Sequence, residues 1–181
     1  MRLETDRLEL RSAQATDAPF LLSLYTTPEV LRFLPPFPPW TSELALKSIQ
    51  ARQELEAERG FAPLVVVMKE SGKKVGSAGL RPVPGGTEVE LLYHYLPSAW
   101  NRGIGTEAAI ALLDFGLQSA KLESVIALAI PANVGSWRVM EKAGMRFLGE
   151  ASYFGLDGLR KYGADRNTWH PVDSARVRHS E

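Results

Sequence analysis

The segment "SAWNRGIGTEAA", Ser98–Ala109, constrains the fold most, because it joins an apolar strand-like run to a helix-like run through two closely spaced glycines. Gly103 and Gly105 lack a Cβ atom, so the backbone there can adopt positive φ and approach a ligand closely. A helix that begins at such a loop presents free N–H groups and a partial positive charge. The segment predicts an anion-binding loop, with a tight turn before the helix as the alternative.

Read from Gly103, the same letters also form G-x-G-x-x-A, the pattern of a dinucleotide-binding loop. That pattern needs its first glycine at the end of a strand, whereas residues 97–102 separate Gly103 from the preceding strand-like run. It also needs an acidic residue at the end of the next strand, and Glu123 precedes that strand. The dinucleotide interpretation therefore fails, and the chain has no G-x-x-x-x-G-K-[ST] loop for a nucleoside triphosphate.

Hydrophobic periodicity and turn residues predict one domain over residues 1–170, followed by a flexible tail over 171–181. Strands are predicted at 7–13, 62–69, 73–80, 87–96, 124–130, 146–154 and 159–169, the last two joined by a turn at "GLDG". Helices are predicted at 17–27, 41–59, 106–120 and 134–143. Prolines exclude regular structure from most of 28–40. This order indicates an α+β (mixed α/β) fold with a mostly antiparallel twisted sheet flanked by helices.

Charge and composition narrow the class of function. Lys+Arg and Asp+Glu both number 21, which argues against a dedicated nucleic-acid or membrane-surface protein. No apolar run is long enough to span a bilayer, and the first ten residues lack the apolar core of a signal peptide, so a cytoplasmic protein is expected. The absence of cysteine excludes disulfides, thiolate metal sites and cysteine nucleophiles, and three histidines, two of them near the C-terminus, predict no metal cluster.

Two segments together carry a family resemblance: "VELLYHYLPSAWNRGIGTEAA" and, further along the chain, "NVGSWRVMEKAG". They resemble the GNAT superfamily of acetyl-CoA-dependent N-acetyltransferases, and within it the branch that acetylates the N-terminal alanine or serine of ribosomal proteins. The residues that match that branch are Glu90, Tyr93, Pro97, Trp100, Gly103, Thr106, Glu107, Ala108, Asn133, Ser136, Arg138, Val139, Glu141, Lys142 and Gly144. The resemblance covers roughly Leu3–Trp169.

The resemblance implies direct transfer of acetyl from acetyl-CoA to a primary amine, without a metal. It implies that the pyrophosphate lies on the backbone of Asn101–Thr106 and that the pantetheine arm pairs with the strand at Tyr93–Tyr95 like an added strand. The residues expected to contact acetyl-CoA are Tyr93, His94, Tyr95, Trp100, Asn101, Arg102, Gly103, Ile104, Gly105, Thr106, Asn133 and Ser136.

Three side chains are candidates for proton transfer. Glu90 matches the position of the general base, and its apolar strand favours a raised carboxyl pKa; the alternative is a polar residue on the solvent face. His94 is a second candidate base, although an ordinary half-buried strand residue is the favoured interpretation. Ser136 matches a proton donor to the leaving thiolate, with a serine bonded to an Asn133 N-cap as the alternative. Met140 stands where many members have a tyrosine acid and cannot donate a proton.

The amine acceptor is the part of the implied reaction that the sequence constrains least. The aromatic residues Phe33, Phe37 and Trp40 of the proline-rich segment are predicted to line an acceptor slot, with packing under a surface loop as the alternative. Tyr153, Tyr162 or Asp157 is expected in the opposite wall. A protein N-terminus is the first acceptor class and a small amine the second. Two alternatives stay open: a non-catalytic acyl-CoA-binding domain of the same fold, and a homodimer formed through the final strand pair.

Overall fold

The computed structural model describes residues 1–170 and the backbone of residues 178–179. Its strands are β1 (Arg2–Glu4), β2 (Leu8–Arg11), β3 (Pro63–Met68), β4 (Lys74–Pro82), β5 (Val89–Tyr95), β6 (Ser124–Ala129), β7 (Arg146–Tyr153), β8 (Leu156–Asp165) and β9 (Arg178–His179). Its helices are α1 (Ala18–Leu24), α2 (Pro28–Leu31), α3 (Ser42–Arg59), α4 (Ile104–Asp114) and α5 (Val134–Lys142). None of the described helices combines the length and apolar character needed to cross a bilayer.

The described strands form one sheet in the order β7-β8-β6-β5-β4-β3-β2-β1-β9. All neighbouring pairs are antiparallel except β5 and β6, which run parallel. A parallel pair needs a crossover connection, and α4 supplies it between β5 and β6. The predicted α+β class with a mostly antiparallel sheet is confirmed.

Two hydrophobic clusters lie on the two faces of this sheet. On one face, α4 and α5 cover a cluster that includes Leu91, Ile104 and Met140. On the other face, α1 and α3 cover a smaller cluster that includes Leu24 and Ile49. The alternation of side chains along β5 therefore decides which helices each residue meets.

Helix ends follow the local signals closely. Thr41 caps α3 by accepting a hydrogen bond from the Leu44 amide at 3.1 Å, and Gly60 ends the helix in the left-handed conformation at φ 77°. Gly144, at φ 83°, follows α5 as predicted. The predicted helix over 106–120 begins earlier, at Ile104, and changes at Phe115–Ser119 into a π-helical turn.

The last hairpin turn was predicted at the wrong residues, and two short elements were not predicted. The turn of the last hairpin is not "GLDG" but the pair Phe154 and Gly155, with φ 56° and 74°, so Leu156 already pairs with Tyr153. Two central residues with positive φ match the twist of flanking strands, which favours this tight hairpin. Strand β1 and the short helix α2 were not predicted. The predicted tail lies outside the described residues except for β9, which pairs with β1.

Candidate active site

The sheet opens between β5 and β6. The two parallel strands share a single register pair, Glu90 with Ile126, and beyond it β5 continues to Tyr95 without a partner on that side. Backbone groups of Leu91–Tyr95 that face the opening are available to a ligand that adds itself as a strand. Helices α4 and α5 begin at the two sides of this opening, because each follows one of the two strands.

The predicted glycine loop forms the start of α4. Gly103 is the N-cap with φ 75°, and Asn101 also has a positive φ of 57°. The first helical bond closes from the Glu107 amide to the Gly103 carbonyl at 3.0 Å, and within the described residues no side chain caps the helix. The amides of Ile104–Thr106 therefore point from the helix end without a helical acceptor, which is the arrangement that binds anions.

Contacts from outside the loop hold this helix end in place. The Trp100 indole donates to the Tyr95 carbonyl at 2.8 Å, which ties the loop to the end of β5. Arg7 donates to the Arg102 carbonyl at 3.0 Å and to the Glu107 carboxylate at 2.6 Å. Glu107 lies in the first turn of α4, where the helix dipole also stabilises a negative charge. These contacts tie the N-terminal segment to the glycine loop.

Gly105 lies where α4 approaches α5 and β5. A Cβ atom on it would lie 3.2 Å from Val139 Cγ2 and 3.4 Å from the Tyr95 ring, so a side chain would crowd the junction. The Tyr95 hydroxyl is buried beside this glycine and lacks a hydrogen-bond partner among the described residues. A buried hydroxyl without a partner is costly, so a water or a ligand at this junction would gain a hydrogen bond there.

Glu90 lies at the point where the strands part. It is only 5% exposed, so the alternative of a solvent-face residue is wrong. Arg81, its direct partner on β4, donates from Nε and Nη2 to the same carboxylate oxygen, Oε2, at 3.1 and 3.0 Å. Oε1 has no partner among the described residues. Burial raises the pKa of Glu90 above its ordinary value, and the Arg81 guanidinium opposes this shift.

His94 is half-buried in the same strand, as the sequence favours. The register between β4 and β5 runs without a shift, so Glu90 and His94 share one face and stay four residues apart, about 13 Å. Burial, together with the positive charges of Arg81 and Arg52, lowers the pKa of His94 to about 3. An imidazole of that pKa does not hold a proton near neutrality. Its Nδ1 lies 3.0 Å from the Tyr25 hydroxyl.

Ser136 lies on the other side of the opening, in the first turn of α5. The Asn133 side chain caps this helix by accepting from the Ser136 amide at 3.2 Å, as the alternative interpretation expects. The Ser136 hydroxyl nevertheless also donates to the Tyr93 hydroxyl at 3.2 Å, and Tyr93 donates to the Ser136 carbonyl at 2.8 Å. Burial raises the pKa of Tyr93 above its ordinary value, so its hydroxyl stays protonated.

One cavity of about 1240 Å³ joins these features. It exceeds the roughly 300–1,000 Å³ of a typical small-ligand pocket, so it has room for two reactants. The predicted site residues that line it are Phe33, Phe37, Trp40, Glu90, Tyr93, His94, Tyr95, Trp100, Asn101, Gly103, Ile104, Gly105, Thr106, Asn133 and Ser136. Met140 also lines it, and no group of metal-binding side chains occurs in the described part of the chain.

Several residues that were predicted to contact acetyl-CoA or the acceptor do not line this cavity. Arg102 is exposed and donates to the Ser98 carbonyl at 3.4 Å. Tyr153 donates to Glu88 at 2.5 Å and accepts from Lys161 at 2.7 Å, so its hydroxyl is already engaged. Asp157 is exposed and accepts from a serine of the same hairpin, and Tyr162 is fully buried against Glu141. The two-residue turn presents Phe154 to the cavity in place of Tyr153.

Three residues that line the cavity were not predicted from the sequence: Tyr25, Arg52 and Arg81. The Tyr25 ring stacks on Trp40 with centroids 4.2 Å apart, which supports the predicted aromatic wall. Arg52 follows Ala45 and Ile49 at the spacing of the buried face of α3, so its position on the helix could have revealed it. The pairing of Arg81 with Glu90 depends on strand register, which short-range patterns do not report.

Comparisons with known proteins agree with this architecture. The family model described as the acetyltransferase (GNAT) domain matches residues 7–146. An uncharacterized N-acetyltransferase of Bacillus subtilis (strain 168), YnaD, is 27% identical over 146 residues, which cover 81% of this chain and 83% of the relative.

Solved structures share the fold. The ribosomal-protein-S5-alanine acetyltransferase from Vibrio fischeri superposes with a TM-score of 0.79 at 19% identity, covering 94% of this chain and 100% of that chain. A ribosomal L7/L12 alpha-N-protein acetyltransferase, RimL, solved in complex with coenzyme A, gives a TM-score of 0.74 at 18% identity and covers 90% of this chain and 98% of that one.

Proposed function

Because the chain belongs to the acetyltransferase (GNAT) family and is an acetyltransferase, we propose that it transfers an acetyl group from acetyl-CoA to a primary amine. The observation that carries this proposal is the opening between β5 and β6, with an anion-binding helix end at one side and a buried carboxylate at its apex. A protein N-terminus is the first acceptor class, supported by the name of the Vibrio fischeri relative, and a small amine is the second.

The residues present fit acetyl-CoA. The backbone of Asn101–Thr106 would hold the pyrophosphate, the unpaired edge at Tyr93–Tyr95 would pair with the pantetheine amides, and Asn133 lies beside that path. The unpartnered Tyr95 hydroxyl would gain an acceptor. When bound, acetyl-CoA supplies an acetyl thioester whose carbonyl carbon is the electrophile.

Glu90 serves as the general base in this proposal. Its free Oε1 accepts a proton from the acceptor ammonium, directly or through water, while Oε2 stays bonded to Arg81. Glu90 passes this first proton to solvent; the new C–N bond then forms as the C–S bond breaks, and Glu90 takes the second proton that the attacking nitrogen loses. The raised pKa brings the carboxylate closer to the working pH, which strengthens it as a base.

Ser136 serves as the proton donor to the departing sulfur. Its hydroxyl faces the opening from α5, across from the base, and Tyr93 fixes its position through two hydrogen bonds. The Tyr93 hydroxyl donates to the Ser136 carbonyl and stays protonated, so Tyr93 positions Ser136, which regains its proton from solvent after turnover. This pair takes over the role that Met140 cannot perform.

The proposal is tested with the purified full chain in two steps. Titration calorimetry with acetyl-CoA measures binding, and a thermal scan measures the stabilisation that binding must produce. Thiol release is then followed with peptides bearing free N-termini and with small amines. Binding together with thiol release on an amine supports the proposal. No binding at millimolar acetyl-CoA contradicts it, and so does binding with no thiol release on any amine.

Glu107→Gln is expected to weaken acetyl-CoA binding about tenfold with little change in kcat. The variant keeps the shape of the side chain but loses the charge that holds Arg7 against the loop, and one charge-assisted hydrogen bond contributes about 1.5 kcal/mol. Calorimetry measures the change in Kd. Glu43→Gln removes an exposed carboxylate paired with Lys47 and is the matched control. Equal affinities in the two variants would contradict a positioning role.

Ser136→Ala is expected to lower kcat about 10²-fold, the lower limit for a general acid, and to leave the Kd for acetyl-CoA nearly unchanged. The Asn133 cap survives, because it uses the Ser136 amide. Steady-state thiol release measures the effect. Ser23→Ala, on the exposed face of α1, is the control. If Ser136→Ala retains the parent kcat, the sulfur takes its proton elsewhere.

A further inference from the structure

Arg52 is a buried cation without an anionic partner. It lies on α3, is 8% exposed and lines the cavity. Its guanidinium contacts only neutral groups: Ser77 Oγ at 2.8 Å, the Pro63 carbonyl at 3.4 Å and the Tyr25 hydroxyl at 3.4 Å. Within residues 1–170, no carboxylate lies within the 4 Å of an ion pair. Buried arginines are almost always paired, because removing the charge from water is costly.

The walls of the cavity contain no carboxylate that could approach Arg52. Glu90 is the one acidic residue among the described residues of the lining, and Arg81 already binds it. Arg138 and Lys142 add two more cations on α5, so the lining carries an excess of positive charge. A cavity with this balance favours an anionic group on its ligand.

The phosphates of the acetyl donor are not that anion. Arg52 bonds Ser77, which pairs with His94, and His94 faces α1 and α3. Tyr95, next along the strand, faces the glycine loop on the opposite side of the sheet. Arg52 is therefore on the face that carries Glu90, where the acceptor amine must lie for the proposed base to reach it.

The spacing on this face sets the size of the ligand. Glu90 and His94 are separated by four residues of strand, about 13 Å, and Arg52 lies beside His94. An amine at Glu90 and an anion at Arg52 are then on the order of 10 Å apart, the length of about three extended residues. Tyr25 and Trp40 stack over the Arg52 end with centroids 4.2 Å apart and reduce its contact with water. A dry, planar guanidinium binds a carboxylate strongly.

We propose that Arg52 binds a carboxylate of the acceptor, so that the preferred substrate is a primary amine carrying a carboxylate on the order of 10 Å from its nitrogen. This inference rests on the proposed function for the position of the amine. Two sources supply such a molecule: a short peptide with a free C-terminus, or a protein N-terminus with an acidic side chain at its second or third residue.

Equilibrium binding to matched peptides tests the proposal independently of turnover. The first pair is Ala-Ala-Ala with a free C-terminal carboxylate and its C-terminal amide. The second pair consists of seven-residue, C-terminally amidated peptides with Glu or Gln at the third residue. Calorimetry measures affinity, and thiol release with acetyl-CoA is recorded separately. We expect the carboxylate member of at least one pair to bind about tenfold more tightly, and the pair that shows this identifies the source.

Variants of Arg52 test whether this residue causes the preference for a carboxylate. In Arg52→Met the affinity ratio within the responding pair should fall to about one, whereas Arg52→Lys keeps the charge and should retain part of it. Arg59→Met, an exposed arginine at the end of the same helix, should leave the ratio unchanged. The proposal is overturned if the wild type shows no carboxylate preference in either pair, or if the preference persists in Arg52→Met. Absence of thiol release would count against the proposed function, while the affinity ratios would still decide the role of Arg52.

Discussion

Glu90→Gln is expected to lower kcat by about 10²–10⁴-fold while acetyl-CoA binds as before. The amide has the size of the carboxylate and still accepts a hydrogen bond from Arg81, but it cannot take a proton from the acceptor ammonium. The glycine loop is separated from Glu90 by the length of β5, so the cofactor site is not disturbed. Single-turnover thiol release measures the rate of the chemical step, and calorimetry measures the affinity for acetyl-CoA.

The dependence on pH provides a second measurement on the same residue. Only the ionised carboxylate accepts a proton, and the pKa of Glu90 is raised by burial, so wild-type kcat should rise with pH through a value above the ordinary glutamate range. Glu90→Gln should lack this ascending limb. Glu88→Gln is the matched control, since Glu88 is two residues earlier and pairs with Lys161 outside the cavity. Parent-like kcat in Glu90→Gln would remove Glu90 as the base.

Asp17→Asn is expected to destabilise the fold by about 3–5 kcal/mol, the loss measured when one partner of a buried ion pair is removed. Asp17 is fully buried; Arg11 binds both carboxylate oxygens at 2.8 and 2.9 Å, and Lys74 binds one of them at 2.5 Å. This cluster joins β2, β4 and the start of α1, the helix that leads to Tyr25 in the cavity wall. Urea unfolding followed by circular dichroism measures the difference.

The loss of unfolding free energy in Asp17→Asn should depend on pH in a defined direction. Burial alone would raise the pKa of Asp17, but the bonds from Arg11 and Lys74 outweigh burial and hold the pKa well below its usual range. A carboxyl with a lowered folded-state pKa stabilises the protein fully above its unfolded value, about 4, and loses that contribution as the pH falls further. The gap between wild type and Asp17→Asn should therefore be constant near neutrality and narrow below about pH 4. Asp6→Asn, at an exposed turn, should show no such gap.

Local signals predicted the parts of the site that depend on neighbouring residues in the chain. The sequence predicted the start of α4 at 106, close to the observed Ile104, and Asn133 marked the start of α5, because capping and positive φ involve only a few residues. The pairing of β5 with its neighbouring strands, and the elements that cover its two faces, were harder to predict from the sequence. Whether Glu90 faced solvent or the interior depended on what covers that face of the sheet, and its exposure of only 5% settles that question.

The amino-acid sequence alone determined the fold class, the glycine loop and the pair of segments that form the two helix ends, since these follow from short-range backbone and capping preferences. The tertiary structure alone decided that β5 and β6 part after Glu90, that the hairpin turn at Phe154 keeps Tyr153 out of the cavity, and that Arg52 enters it. These features arise where distant segments meet, because burial and charge pairing are properties of the packed chain and not of any one segment.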